Sequence, residues 1–262
     1  MTARLANSCR WCAGEQRPVA SPAQRPQWLR MQCLRCGTIS YDELPTTEQL
    51  AAIYSAAWSA DTESGPNGSA SEIAVSSMTK HLLNSHTRSA KVLDYGAGSG
   101  VFARALAQTR ASEVHAFEPY GPPRQCGRVI WTSDHEGPWS AVRFDLIVMS
   151  EVIEHLIDPV DVLAGLADRL APGGSIFVTT PNARGLWARQ QKGKWREAQN
   201  PAHLCLFTAQ SLDLCARRAG LAGFARSRHP VRYKAGLAAQ FALTALQIAG
   251  LDGGLRGFLH RR

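Results

Sequence analysis

The strongest constraint on the fold lies between Lys91 and Ala107. An apolar pair, Val92-Leu93, is followed by the carboxylate of Asp94, then Tyr95 and the alternating glycines of Gly96-Ala97-Gly98-Ser99-Gly100. Val101 to Ala107 then takes up helical spacing. A strand that passes through such a turn into a helix brings backbone amides and a helix N-terminus up to a ligand. Gly96, Gly98 and Gly100 lack the Cβ that would block that approach, and they permit positive φ. Asp94 sits at the carboxyl end of the strand, where open α/β sheets bind their ligands. The dinucleotide fingerprint does not fit, because its third glycine would fall at position 101, which is valine. An anionic Asp94 beside the turn suits a cationic or hydroxyl-bearing ligand better than a pyrophosphate.

Strand and helix signals alternate from Lys91 onward. The candidate strands are Lys91–Asp94, Glu113–Phe117, Arg128–Trp131, Phe144–Met149, Ser175–Thr179 and Gly223–Arg228. Helices are expected over Val101–Gln108, Pro159–Arg169 and Thr208–Ala219. The expected fold class is α/β: a doubly wound, mainly parallel Rossmann-like sheet. Upstream, Cys9-Arg-Trp-Cys12 and Cys33-Leu-Arg-Cys36 form two C-x2-C knuckles with 20 residues between them. Four thiolates so spaced can close a tetrahedral zinc site with no open position. Gly37 suits the tight turn after the second knuckle. The expected organisation is a small zinc ribbon at 1–45, a helical lead-in and linker at 46–90, the core at 91–234, and an apolar and basic C-terminal helix and tail at 235–262. Thr46-Thr-Glu-Gln49 has the form of a capping box opening the lead-in helix. Ser59 to Ser71 reads as a mobile connection, and a further helix is expected from Glu72 to Leu83.

Further residues fall at strand ends. Glu118, 20 residues after Gly98 and followed by Pro119, is placed to accept hydrogen bonds from both hydroxyls of a ribose. Asp134, after the third strand, could accept from an adenine amino group. The fourth strand runs into Ser150-Glu-Val-Ile-Glu-His-Leu156, a helix follows to Ala171-Pro-Gly-Gly174, and the fifth strand ends at Pro181-Asn182. In this order, from Leu93 to Asn182, the motifs resemble the class I S-adenosylmethionine-dependent methyltransferases. The paired knuckles, together with Asn200-Pro-Ala-His203-Leu-Cys-Leu-Phe207-Thr208, are similar to a bacterial subgroup found in glycan and natural-product pathways. The resemblance implies S-adenosylmethionine as cofactor. Asp94, Tyr95, Gly96, Ala97, Gly98 and Gly100 would lie near its methionine part, Glu118 and Pro119 at its ribose, and Asp134 at its adenine. Ser150 and Glu151 would line the pocket.

The resemblance implies an O- or N-methyltransferase acting on a small-molecule or glycan acceptor, with His155 and His203 as candidate bases. Glu151, Glu154, His155 and His203 also resemble the set in metal-assisted O-methyltransferases, among them RNA 2′-O-methyltransferases and enzymes of ubiquinone biosynthesis, where a divalent cation would lower the acceptor's pKa. The formal charge of +8 raises a nucleic-acid alternative, but the basic residues are scattered. A non-catalytic scaffold is the third reading. No secretory signal or membrane-length apolar run is evident, so a cytoplasmic location is expected. The apolar 235–259 stretch could instead lie on an anionic membrane. Two departures from the family stand out. The connection from Glu118 to Gly127 is short, and Gly257 to Arg262 does not read as the family's seventh, antiparallel strand.

Overall fold

The structure, a computed structural model, describes residues 8–19, 21–60, 78, 82, 90–109, 113–121, 127–227 and 237–262. Its strands are β1 (Gln16–Val19), β2 (Arg30–Cys33), β3 (Ile39–Tyr41), β4 (Lys91–Tyr95), β5 (Glu113–Phe117), β6 (Val129–Thr132), β7 (Phe144–Ser150), β8 (Leu170–Pro181), β9 (Cys205–Leu206), β10 (Leu221–Arg226) and β11 (Gly254–Arg261). The helices are α1 (Thr47–Ala60), α2 (Val101–Ala107), α3 (Pro159–Asp168), α4 (Leu186–Gln191), α5 (Arg196–Gln199), α6 (Ala209–Arg218) and α7 (Leu237–Ala249).

Seven strands form the main sheet in the order β10-β11-β8-β7-β4-β5-β6. β4 pairs in parallel with β5 and β7, and β5 with β6 and β7 with β8 likewise. Leu146, Ile147, Val148 and Met149 of β7 are all fully buried. A near-continuous apolar run of this kind is what a central parallel strand needs when both sheet faces are covered. One face carries Ile147, Met149, Ile176 and Val178 against Leu163 and Leu166 of α3 and Leu212 of α6. The other carries Val92, Val114, Val148 and Phe177 against Ala103 and Leu106 of α2. Each leucine so buried contributes ~1.5–3 kcal/mol.

Helix starts follow local chemistry. Asp158 accepts from the amides of Val160 (3.1 Å) and Asp161 (3.2 Å), with Pro159 in the first turn of α3. The capping box at α1 forms as expected: Gln49 N donates to Thr46 Oγ1 and Thr46 N to Gln49 Oε1. The expected connection at Ser59 to Ser71 and the expected helix at Glu72 to Leu83 lie outside the described residues, except for the last residues of α1 and for helical, buried Met78 and Leu82.

The C-terminal tail corrects the sequence reading. Gly254–Arg261 is a strand, antiparallel to both β8 and β10. Its glycines and basic residues give it no β-propensity signal, so pairing along both edges and burial of Leu255 and Leu259 decide its conformation. β10 starts two residues earlier than expected. β8 starts at Leu170, because Phe144 pairs with Leu170 across an irregularity before the regular register resumes at Leu146 and Ser175.

The ribbon strands β1, β2 and β3 are antiparallel, and β9 from the core joins them as a fourth strand. Trp11 of the ribbon packs against Phe207 at 5.5 Å and donates to Cys205 Sγ. The Thr208 hydroxyl donates to the Cys36 carbonyl at 2.9 Å, and Arg218 donates to the Trp11 carbonyl at 2.8 Å. The ribbon is thereby continuous with the core of the sheet.

Candidate functional site

The carboxyl ends of β4, β5, β6 and β7 face one edge of the sheet. There the turn after β4 bends at Gly96 (φ 77°), Gly98 (φ 53°) and Gly100 (φ 77°). Gly96 and Ala97 donate their amides to the Phe117 carbonyl at 2.8 and 2.9 Å, which ties the turn to β5. A Cβ on Gly96 would stand 2.5 Å from the Val152 side chain, whereas one on Gly98 would meet no atom within 4 Å. Space is therefore open over Gly98, and the Gly98 amide bounds it by donating to Glu118 Oε2 at 2.9 Å. Glu118 Oε1 accepts from the Tyr120 amide at 3.1 Å. Each carboxylate oxygen retains a lone pair for a ligand.

Asp94 is buried, and its Oδ2 has no hydrogen-bond partner. Burial raises its carboxyl to about 7. An unpartnered carboxylate oxygen in a dry site is stabilised by an incoming cation or donor. Trp131, which the sequence reading did not single out, closes over Gly100 and carries a buried indole N–H with no partner. Tyr95 is turned away, packed on Phe117 and Trp139. Asp134 holds a surface turn, its Oδ1 accepting from the Glu136 amide at 2.9 Å.

At the end of β7 the Ser150 and Thr179 hydroxyls are 3.1 Å apart. Glu151 takes φ 56°, rare for a non-glycine residue, and its Oε1 accepts from Thr179 Oγ1 at 2.9 Å. Glu154 is fully buried: Oε2 accepts from Thr180 and Oε1 has no partner. Burial, reinforced by neighbouring Glu151, pushes the Glu154 carboxyl well up. His155 and His203 pack edge to face at 4.7 Å. His155 Nδ1 lies 3.0 Å from the Ala202 carbonyl and so donates to it, leaving Nε2 as the acceptor. Burial lowers this imidazole to about 4, so it is neutral near pH 7. His203 has both nitrogens engaged, Nδ1 with the Glu197 carbonyl (3.1 Å) and Nε2 with the Asn200 amide (3.0 Å). Burial and its neighbour His155 lower it as well.

Two clusters have metal-ligand chemistry. Cys9, Cys12, Cys33 and Cys36 offer sulfurs within 4.8 Å of one another, with 3.6 Å between Cys9 and Cys36 and 3.4 Å between Cys12 and Cys33. Tetrahedral zinc with Zn–S near 2.3 Å sets sulfurs about 3.8 Å apart. The Trp11 and Cys36 amides donate to Cys9 and Cys33 sulfurs. Glu154, His155 and His203 also fall within 4.8 Å. Glu151 is not in that group.

A methyltransferase-domain family model matches residues 72–224, more than half of the 262-residue chain. The chain belongs to the methyltransferase-domain family. Its sheet, with β11 antiparallel between β8 and β10, is the class I, Rossmann-like form of that domain. The ubiquinone biosynthesis O-methyltransferase of Escherichia fergusonii is 30% identical over 106 residues. That match takes in 36% of this chain and 44% of the relative, so the chain spans under half the length of the curated relatives it matches. Among solved structures, the fold is similar to the 1,6-didemethyltoxoflavin-N1-methyltransferase of Burkholderia thailandensis, bound to 1,6-didemethyltoxoflavin and S-adenosylhomocysteine. The TM-score is 0.57 at 18% identity, covering 93% of this chain and 98% of that one. It is also similar to a methyltransferase from a complex with the Haloferax volcanii Trm112 methyltransferase activator, at TM-score 0.55 and 16% identity, covering 80% of this chain and 98% of that one.

The structure holds a cavity that the sequence reading did not anticipate. It measures about 550 Å³ and opens beside Glu151, between α4, α5 and α7. Trp187 and Trp195, set in the polar segment that follows Pro181-Asn182, were the available signal: tryptophan is costly in such a stretch unless it packs or binds. No helix among the described residues is long and apolar enough to cross a membrane.

Proposed function

We propose that this protein is an S-adenosylmethionine-dependent methyltransferase that methylates an oxygen or nitrogen of a small-molecule or glycan acceptor. One observation carries the reading: at the carboxyl ends of β4 and β5, space is open over Gly98, whose amide donates to the Glu118 carboxylate, and buried Asp94 at the end of β4 keeps an unpartnered oxygen. This donor and acceptor set fits a cationic amino acid joined to a ribose. S-adenosylmethionine, when bound, supplies a methyl group on a cationic sulfur. Asp94 would face its amino group, which would hold the carboxyl ionised despite burial. Glu118 would accept from the ribose hydroxyls, Asp134 from the adenine amine, and Ser150 and Glu151 would bound the methyl-bearing end.

Positioning and proton removal supply the catalysis. His155 is the proton acceptor, because its Nε2 is uncommitted. His203 fixes the facing loop. The cysteine cluster holds structural zinc, a closed site that supports folding of a ribbon too small to bury much apolar surface. A divalent cation at Glu154, His155 and His203 is a second reading, favoured by the unpartnered Glu154 Oε1 beside two neutral imidazoles. It would require His203 to release Asn200 or Glu197.

Thermal unfolding tests the cofactor assignment. S-adenosylhomocysteine at a hundred times its Kd should stabilise the fold by about 2.7 kcal/mol, while NAD gives no shift. Equal shifts with both ligands, or none with either, would overturn it.

A further inference from the structure

The cavity beside Glu151 lies at the carboxyl end of the sheet, next to the segment carrying Ser150 and His155. Its volume of about 550 Å³ falls in the ~300–1,000 Å³ range of small-molecule sites. Two indoles line it: Trp195, buried in the wall, and Trp187, 50% exposed. An indole offers a broad apolar face with a single polar edge.

The polar lining decides the occupant. Glu151, Glu197 and Asp252 bring three carboxylates against the two guanidiniums of Arg196 and Arg256. Arg196 is already paired with Glu197 at 2.6 Å and Arg256 with Asp252. Glu151 forms no ion pair among the described residues. An anionic ligand would have to displace paired carboxylates and then meet Glu151. A protonated amine would satisfy Glu151 but offers nothing for the guanidiniums to donate to, and it has no lone pair to accept a methyl group. A plain hydrocarbon would strip these groups of water and return nothing. Hydroxyl groups both donate and accept, so they can serve carboxylates, guanidiniums and the amides of Gln191 and Gln247 together.

Glu151 supplies a separate argument. Its φ of 56° is a strained, left-handed conformation for a non-glycine residue. Its amide and Oε1 are both fastened to Thr179, at 3.0 and 2.9 Å. The conformation sets the carboxylate on the cavity wall with Oε2 left for a ligand.

We infer that this cavity is the recognition site for the methyl acceptor and that it takes a neutral ring bearing adjacent hydroxyls, a sugar residue. The inference rests on the methyl-transfer reading. The ring's C–H face packs on Trp187, and its hydroxyls bridge Glu151 and the polar groups opposite.

The test uses the full chain saturated with S-adenosylhomocysteine. Saturation-transfer NMR and tryptophan fluorescence are read against methyl glycosides of glucose, galactose, mannose and rhamnose, with catechol, phosphate and putrescine as contrasts. At least one glycoside should bind, and Trp187→Ala and Glu151→Gln should each weaken it about tenfold or more, or 1.4 kcal/mol. S-adenosylhomocysteine affinity should be unchanged in Trp187→Ala. Binding of no glycoside, glycoside binding indifferent to both substitutions, or preference for catechol, phosphate or putrescine would overturn the inference. Should S-adenosylhomocysteine fail to bind while a Trp187-dependent glycoside does, the methyl-transfer reading falls and the cavity keeps its assigned occupant.

Discussion

Neighbouring glycines in the turn after β4 should respond to the same substitution in opposite ways. Both Gly96 and Gly98 have positive φ, so alanine at either pays the left-handed cost of ~1–2 kcal/mol. At Gly96 the new Cβ would also stand 2.5 Å from Val152 Cγ2 and 3.0 Å from its Cγ1. Such overpacking adds ~1–3 kcal/mol, for a total of ~2–5 kcal/mol. For a chain of this size each kilocalorie moves Tm by about 2–4 °C. Gly98→Ala should therefore lower Tm by only a few degrees, and Gly96→Ala by up to several times as much. Val152→Ala combined with Gly96→Ala should relieve the clash, giving a favourable coupling of ~1–3 kcal/mol in a double-mutant cycle. Binding should reverse the order of severity. The Gly98 Cβ enters the open space assigned to the cofactor, so S-adenosylhomocysteine affinity should fall at least about tenfold. Unchanged affinity in Gly98→Ala, or equal destabilisation at both positions, would refute the reasoning.

Other outcomes follow from the same structure. Burial raises Asp94 from 3.8 to about 7 in the fold, so the unligated native state binds more protons than the unfolded chain across that window. Its contribution to stability is full below about pH 4, falls as pH rises towards about 7 and is flat above. Asp94→Asn should remove that part of the pH slope, and parallel melting curves for the two proteins would contradict it. Thr208 caps α6 through the Ser211 amide and donates to the Cys36 carbonyl. Thr208→Ala should cost ~2–4 kcal/mol in denaturant unfolding, and Thr208→Ser should restore most of it. Cys33→Ser should abolish stoichiometric zinc, measured by metal analysis after dialysis, and lower stability. Full zinc retention would argue against the four-cysteine site.

Much of the fold was legible because its signals are local. The Gly-rich turn, the apolar run of β7 and the capping box at Thr46 each state their conformation within a few residues. β11 was not legible, since Gly-Leu-Arg-Gly-Phe-Leu becomes a strand only by pairing on both sides. β9 was hidden for a similar reason: two residues, Cys205 and Leu206, pair with Ile39 and Ser40 far away in sequence. In the candidate site, Asp94 and Glu118 followed from strand-end positions. Their unpartnered or shared oxygens became visible only when β4 and β5 were set side by side. The sequence paired Glu151 with Glu154 as metal ligands, but the positive φ of Glu151 turns its carboxylate to Thr179 and the cavity instead. Trp187 and Trp195 belong to a segment whose meaning depends on α7, which closes the cavity from far along the chain.

Calorimetric titration of the purified protein with S-adenosylhomocysteine, alongside Glu118→Ala, tests the central claim most directly. The account predicts one site of micromolar affinity, weakened about tenfold, or 1.4 kcal/mol, by the substitution. Absence of binding by folded protein at several temperatures, or binding indifferent to Glu118, would contradict it.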